Sequence, residues 1–233
     1  MLEIRDLYVG YYKDLNILQG VSATAQKARI TTILGANGVG KSTLLKAIYG
    51  FLRPNSGEVL IDGQSLIGIP THKRIDMGIS YIPQQPGVFR WMTVEENLEL
   101  GAWTFKKDKT RIRRKIEENY ERFPMLKERR KSKAGELSGG MQRMVEVGRT
   151  LMTDPKVILV DEPTAGLAKL LSEEVYQMLI QLRDEEDMTI VLVDQEIRQA
   201  LKIADYVYVL ELGRNRFEGP VEEFTDLKKA FWA

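Results

Sequence analysis

The segment Gly35-Ala36-Asn37-Gly38-Val39-Gly40-Lys41-Ser42, continued by Thr43, has residue types that suit the binding of a nucleotide's phosphates. Its glycines let successive backbone N–H groups curl around phosphate oxygens. A helix opening at Lys41 would add positive potential at its N-terminus. Lys41 can reach the β- and γ-phosphates, and the Ser42 hydroxyl can bind Mg²⁺. A second constellation is the apolar run Val157-Ile158-Leu159-Val160, which ends in Asp161 and Glu162. A carboxylate at a strand tip suits a metal held through water, which is the place of Asp161. Glu162, one residue on, points differently and suits polarisation of an attacking water. The third is Leu137-Ser138-Gly139-Gly140-Met141-Gln142. Ser138 is a good N-cap for a helix whose apolar face reads Met141, Met144, Val145, Gly148, Leu151 and Met152. Its start is a second anion-binding helix terminus. A chain with one nucleotide has no obvious use for two such termini; two chains facing each other do, if each covers the other's nucleotide.

These groups need elements to hold them. Residues 1–30 alternate loosely, broken at Gly10 and Gly20, and read as strands. Ile30-Thr31-Thr32-Ile33-Leu34 is a β-branched run that reads as a buried strand. Lys41 to Tyr49 has helical spacing and is stopped by Gly50 and Pro54. Residues 57–67 look like a hairpin turning at Asp62-Gly63. Residues 79–82 form a strand, and from there to about residue 154 the texture becomes helical and charged. After Pro155 the strand–helix rhythm resumes. Val157–Val160, Ile190–Val193 and Val207–Leu210 are strands, residues 195–204 are a helix, and Ser172 caps a helix carrying Val175, Met178, Leu179 and Leu182 on one face. This alternation implies a parallel sheet with right-handed crossovers. Gly35, Gln84, Asp161 and Gln195 all fall at the C-terminal ends of apolar runs, where open α/β sheets bind ligands.

Composition narrows the rest. The 233 residues contain no cysteine and one histidine, His72. Disulfides, thiolate nucleophiles, cysteine-ligated metals and multi-histidine sites are therefore excluded. The net charge of +1 gives no support to a nucleic-acid-binding protein. Residues 105–133 carry thirteen Lys/Arg and five Asp/Glu, a local +8. That stretch reads as a solvated helix face or as a contact with an acidic partner or lipid head groups. The start, Met1-Leu2-Glu3-Ile4-Arg5-Asp6, has no signal-peptide core, and no apolar run reaches about 18 residues, the length a spanning helix needs. A cytoplasmic protein is expected.

The phosphate loop, then Tyr81-Ile82-Pro83-Gln84, then Leu137-Ser138-Gly139-Gly140, then Asp161-Glu162-Pro163 resembles the ATPase subunits of ABC transporters in order and spacing, over nearly the whole chain. The resemblance implies a RecA-like P-loop core with a mainly parallel sheet, an antiparallel β subdomain and an inserted α-helical subdomain. Residues 1–84 and 155–233 would form the core with its β part, and 85–154 the helical part. It implies ATP and Mg²⁺ as ligands, with Ser42, Gln84 and Asp161 at the metal. Glu162, Lys41, Gln84 and Gln195 would serve catalysis. Two ATP molecules would be sandwiched in a head-to-tail dimer, with Ser138 contacting the γ-phosphate held by the opposite chain. An upstream aromatic residue, Tyr11 or Tyr12, would stack on adenine. Transmembrane permease subunits, a second ATPase subunit (a paralogue or a second copy) and, indirectly, an extracytoplasmic substrate-binding protein are the implied partners. The chain would then sit peripherally on the inner face of the membrane.

Two departures from the family pattern are visible. Gln195 stands where most members have a histidine, so an amide would face the γ-phosphate. Ala165-Gly166-Leu167-Ala168 lacks the usual aspartate. These segments, with Leu192-Val193-Asp194-Gln195, the 199–205 run and Lys229-Ala230-Phe231, look like the LivF-type ATPases of branched-chain amino acid importers, although Lys169 replaces a usual proline. Urea and short-amide importers share much of this pattern. A soluble non-transport ABC ATPase and a nucleotide-binding module that does not hydrolyse ATP are rivals from other classes; the intact Glu162 argues against the second.

Overall fold

The computed structural model describes residues 1–12, 15–85 and 87–224; Lys229-Ala230-Phe231 lies outside them. The first sheet is antiparallel. Its strands are β1 (Leu2–Val9), β2 (Leu18–Ala25) and, after β3 (Ile30–Leu34) and α1 (Lys41–Tyr49), β4 (Ser56–Ile61) and β5 (Gln64–Ser65), in the order β2-β1-β4-β5. The expected hairpin turn is present, with Asp62 and Gly63 both at positive φ. Gly20 does not break a strand. It lies inside β2 at φ +80°, as the extra residue where the pairing steps from Leu7↔Val21 to Tyr8↔Gln19. It is a bulge, a conformation that favours glycine.

The second sheet carries the chemistry. After α2 (Thr71–Asp76) come β6 (Ile79–Ile82), then α3 (Val94–Gly101), α4 (Lys109–Arg122), α5 (Pro124–Glu128) and α6 (Gly139–Leu151), and only then β7 (Val157–Asp161). The remaining elements are α7 (Lys169–Glu186), β8 (Thr189–Val193), α8 (Ile197–Ile203), β9 (Tyr206–Glu211) and β10 (Arg214–Pro220). The order is β10-β9-β3-β8-β7-β6, with β9, β3, β8, β7 and β6 parallel and β10 antiparallel to β9. Strands β3, β7 and β8 are buried along their whole length. Each fully buried Val, Ile or Leu contributes roughly 1.5–3 kcal/mol, so these strands anchor the polar residues that follow them.

Two apolar clusters pack against the sheets. One joins the antiparallel sheet, α1 and one face of the parallel sheet. The other joins the opposite face to α3, α4, α6 and α7. The helices of 94–151 interrupt the chain between two strands that are hydrogen-bonded neighbours, Ile79↔Val157 through Ile82↔Val160. They are thus an insertion between adjacent strands.

Some local expectations are corrected. The helix of the 170s opens at Lys169, with Ala168 as N-cap, so Ser172 lies inside it and its hydroxyl donates back to the Ala168 carbonyl at 3.4 Å. The buried face of α6 is Gly140, Arg143, Val145, Glu146, Val147, Gly148 and Leu151; Met141 and Met144 are only partly buried at its edge. In the basic 105–133 stretch, α4 buries only Ile112, Ile116, Asn119 and Tyr120. Several of its charges are paired, among them Arg111–Asp154 at 3.1 Å and Lys127–Glu117 at 3.2 Å.

Helix α3 holds α6 in place through close backbone contact at Gly101. A Cβ there would lie 2.2 Å from the Arg149 carbonyl oxygen and 2.9 Å from Met152. Gly101→Ala should cost about 1–3 kcal/mol by overpacking and lower the thermal midpoint by roughly 2–4 °C for each kcal/mol. A melt indistinguishable from that of the unsubstituted protein would show that the two helices separate freely.

Candidate active site

Strand β3 ends at Leu34 and the chain turns through Gly35–Gly40 into α1. Gly35 has φ +148°, and a Cβ there would sit 2.5 Å from the Leu210 carbonyl oxygen. Gly40 has φ +110° and meets Leu18 at the same distance. Only glycine fits both positions. Among the described residues no side chain caps the N-terminus of α1, so its first amides are available to an anion. Thr43 is buried in the first turn. Lys41 is buried as well, and its ammonium donates to the carbonyls of Gly35 at 2.8 Å and Ala36 at 3.1 Å. Burial lowers its pKa, while the carboxylates of Glu162, Asp161 and Asp194 oppose that shift. Asn37, Gly38 and Val39 form the outer turn, where the Val39 N–H donates to Ala36.

The parallel sheet brings β7 opposite this loop. Ser42 donates its hydroxyl to Asp161 Oδ1 at 2.8 Å. Tyr81, from β6, donates to Asp161 Oδ2 at 2.8 Å. Its ring stacks on Tyr49 with centroids 5.4 Å apart, and Phe51 meets both edge-on. Burial and the neighbouring Asp161 raise the Tyr81 pKa, which keeps the phenol a neutral donor. A hydroxyl, a carboxylate and a phenol therefore meet at one point. Oxygen ligands of this kind suit a hard divalent cation such as Mg²⁺, which typically takes one or two protein groups and substrate phosphates. Among the described residues no cluster of three or more His, Cys, Asp or Glu could hold a metal alone.

Glu162 is held by three constraints. Its backbone is left-handed, at φ +43°, a conformation that costs of order 1–3 kcal/mol for a residue with a side chain. Its N–H donates to the Val193 carbonyl at 2.7 Å, which ties it to the end of β8. One carboxylate oxygen, Oε2, accepts from two amides: Gln84 Nε2 at 2.6 Å and Gln195 Nε2. Burial raises the Glu162 pKa, the Gln195 hydrogen bond opposes it, and Asp161 adds to the rise. The residue is a carboxylate with increased basicity and fixed orientation, as a general base requires. Sequence position alone directs Gln195 towards a phosphate; the structure gives its amide to Glu162. Gln195 is no helix cap either, since α8 is preceded by Glu196.

Behind Gln195, buried Asp194 accepts from Tyr176 at 2.9 Å, from Thr164 at 3.2 Å and from the Glu196 N–H at 2.9 Å. This network fixes the loop after β8 against the segment after Glu162. Thr164 and Tyr176 carry no motif signal, and sequence reasoning misses them; Tyr81 and Asp194 fall inside motif segments, but nothing in the sequence gives them these contacts.

The structure does not bring every expected residue together. Ser138 caps α6 by accepting from the Met141 N–H at 3.3 Å, and Gln142 donates to the Leu137 carbonyl at 3.1 Å. Among the described residues, no hydrogen bond joins Leu137–Gln142 to residues 35–43. The glycines face the segment after Glu162 instead: a Cβ on Gly139 would meet Leu167, and one on Gly140 would meet Leu171, each at 3.0 Å. The two tyrosines also differ. Tyr11 sits beside Lys46, whose Nζ lies 3.5 Å from its hydroxyl and 6.0 Å from its ring centre, whereas Tyr12 is 75% exposed and forms a bridge to Leu15. A cavity of about 1140 Å³ lies on the outer side of the loop, between Gly35–Val39, α8 and the β9–β10 turn. It does not include Asp161 or Glu162.

A parallel sheet whose glycine-rich loop, strand-end carboxylate and fixed glutamate share one edge is the arrangement of a P-loop nucleoside triphosphatase. The ABC transporter family model matches residues 18–165. A probable branched-chain amino acid transport ATP-binding protein LivF from Archaeoglobus fulgidus is 40% identical over 98% of this chain and 96% of its own. The high-affinity branched-chain amino acid transport ATP-binding protein BraG from Pseudomonas aeruginosa is 42% identical over 88% of this chain and 86% of its own. The crystal structure of a nucleotide-free ATP-binding cassette from an ABC transporter superposes with a TM-score of 0.87 at 31% identity, covering 100% of this chain and 95% of that one. A dimeric post-hydrolysis cassette bound to ADP and Pi gives a TM-score of 0.81 at 26% identity, covering 95% of this chain and 99% of that one. The chain belongs to the ABC transporter family and is a nucleotide-binding ATPase subunit of it.

Gln195 is exposed, so replacing it should leave the fold intact while freeing Glu162. Gln195→Ala should lower kcat about tenfold to a hundredfold through misplacement of the Glu162 carboxylate, with little change in thermal midpoint. Unchanged turnover would remove Gln195 from the site.

Proposed function

We propose that this chain hydrolyses ATP to energise the uptake of branched-chain, hydrophobic amino acids. The observation that carries the ATPase chemistry is Glu162, fixed by two amides one residue beyond the Ser42–Asp161 pair. In this reading the loop amides of Gly35–Lys41 and the α1 terminus bind the phosphates. Lys41 leaves its loop carbonyls for the β- and γ-phosphates. Ser42 and Asp161, with the Gln84 amide oxygen, hold Mg²⁺, which when bound neutralises charge on the phosphates. Glu162 accepts the proton of the attacking water while Gln84 and Gln195 keep its carboxylate aimed. Tyr12, 75% exposed, takes the adenine; Tyr11 is engaged with Lys46.

Residues 137–142 find no partner on their own phosphate loop, which supports a head-to-tail dimer. In it Ser138 and the α6 terminus of one chain close over the γ-phosphate held by the other. The second chain is a copy or a paralogue. Among the described residues no helix is long and apolar enough to cross a membrane, so coupling to transport needs permease subunits, with a substrate-binding protein delivering the solute outside. The chain works on the inner face of the membrane. The two LivF and BraG relatives support the substrate class.

Glu162→Gln keeps the shape and removes the charge. It should bind ATP normally, slow turnover by at least about tenfold and trap a dimer on gel filtration with Mg-ATP; hydrolysis at the original rate would sink Glu162 as the base. Ser138→Arg should abolish hydrolysis with ATP binding intact, and normal turnover would refute the shared site. For the substrate class, cells lacking the chain should lose uptake of labelled leucine. Retained leucine uptake with lost urea uptake would assign it to a short-amide importer.

A further inference from the structure

Helix α6 carries a fully buried ion pair that the motif does not require. Arg143 is 1% exposed and Glu146 is 1% exposed, and their side chains meet at 2.6 Å one turn apart. Replacing a buried pair of this kind by neutral residues is often harmless to stability, so stability is a poor reason for its presence. Its other contacts suggest a better one. Arg143 Nη1 donates to the Pro83 carbonyl at 2.7 Å, and Nη2 donates to the Gln84 carbonyl at 2.6 Å. Glu146 Oε1 accepts from the Gly87 N–H at 2.8 Å. One turn further along α6, Arg149 donates to the Gly87 carbonyl at 2.8 Å, and its guanidinium lies 5.5 Å from the centre of the Phe89 ring. Among the described residues the Nε of Arg143 has no hydrogen-bond partner, and the guanidinium makes its hydrogen bonds through its two terminal nitrogens, two of them to this loop.

The loop thus gripped starts from β6 and carries Gln84, whose side chain reaches Glu162 on the other side at 2.6 Å. We propose that Arg143 and Glu146 are positioning residues that clamp the Gln84 loop to the helix bearing Ser138, and so aim Glu162 through Gln84. A planar guanidinium suits this work, because its fork holds two successive carbonyls at a fixed spacing while a carboxylate fixes the fork. The consequence is mechanical. Residues Ser138–Gln142 open the same helix, so any shift of α6 that accompanies closure over a nucleotide moves the Gln84 carbonyl with it. Closure would then be sensed at the base through one rigid side chain. The inference rests on the reading of Glu162 as the base.

The test uses the full chain and three readouts. In Arg143→Gln/Glu146→Ala both charges leave together, so no buried ion is orphaned. Arg143→Lys keeps a cation beside Glu146 but loses the fork, and it serves if the double variant folds poorly. Either should lower kcat about tenfold with KM for ATP and the thermal midpoint little changed. Gln84→Ala should lower kcat in the original chain yet cost less than about twofold more in the clamp variants, because both act through one side chain. Hydrogen exchange at the Gly87 amide should quicken at least about tenfold in the Glu146-lacking variant. Unchanged kcat, a Gln84→Ala effect of equal size in both backgrounds, or unchanged exchange at Gly87 would each overturn the clamp. If the unsubstituted protein hydrolysed no ATP, the ATPase reading would fall, and the exchange measurement would still decide the clamp.

Discussion

The hydrogen bonds from two amides to one oxygen of Glu162 are the contacts on which the site depends. A carboxylate in a left-handed backbone, partly removed from water, has neither a low-energy conformation nor good solvation by itself. It stays where it is because β7 and β8 fix its backbone, and because Gln84 in the loop after β6 and Gln195 in the loop after β8 fix its side chain. Those strands are hydrogen-bonded neighbours of one another. The parallel sheet is therefore the ruler that sets distances at the site, and its buried aliphatic strands make that ruler stiff.

From this constraint the remaining architecture follows. The phosphate loop must meet β7 from two strands away, which the order β3-β8-β7-β6 provides. The inserted helices must reach the loop after β6, because that loop carries the second amide. The Arg143–Glu146 pair makes this connection. Asp194, Thr164 and Tyr176 do the corresponding work on the opposite side by holding the loop after β8. Each amide on Glu162 is thus backed by a buried polar network on its own side.

The sequence makes the directly reacting groups legible and their supports much less so. Gly35–Ser42 and Asp161-Glu162 are continuous in sequence, and their chemistry dictates residue type and spacing. Most of the parallel strands are legible too, because a short aliphatic run bounded by turn residues has few other uses. Arg143 and Glu146 were invisible: on a helix, charged residues read as the solvent face, and only the loop from β6 makes that face interior. The partner of Gln195 was equally hidden, since an amide at a strand end can point to a phosphate or to a neighbouring carboxylate with the same local sequence. Strand β10 has no apolar signature, because Arg214–Pro220 is polar and mostly exposed at a sheet edge. The start of α7 is hard to place because Ser172 looks like a cap while Lys169 sits at the positive end of the helix dipole, where a cation is disfavoured.

In the proposed mechanism Glu162 is a desolvated base steadied by amide donors. Carbon-13 NMR of the Glu162 carboxylate, followed through a pH titration of the full chain, tests it most directly. Burial disfavours the charged form, so the midpoint should lie above the 4.5 of an ordinary glutamate. The Gln195 donor favours the charged form, so Gln195→Ala should push the midpoint higher still. A midpoint at or below 4.5 in the original protein would contradict the desolvation of Glu162, and a downward shift in Gln195→Ala would contradict its support by Gln195.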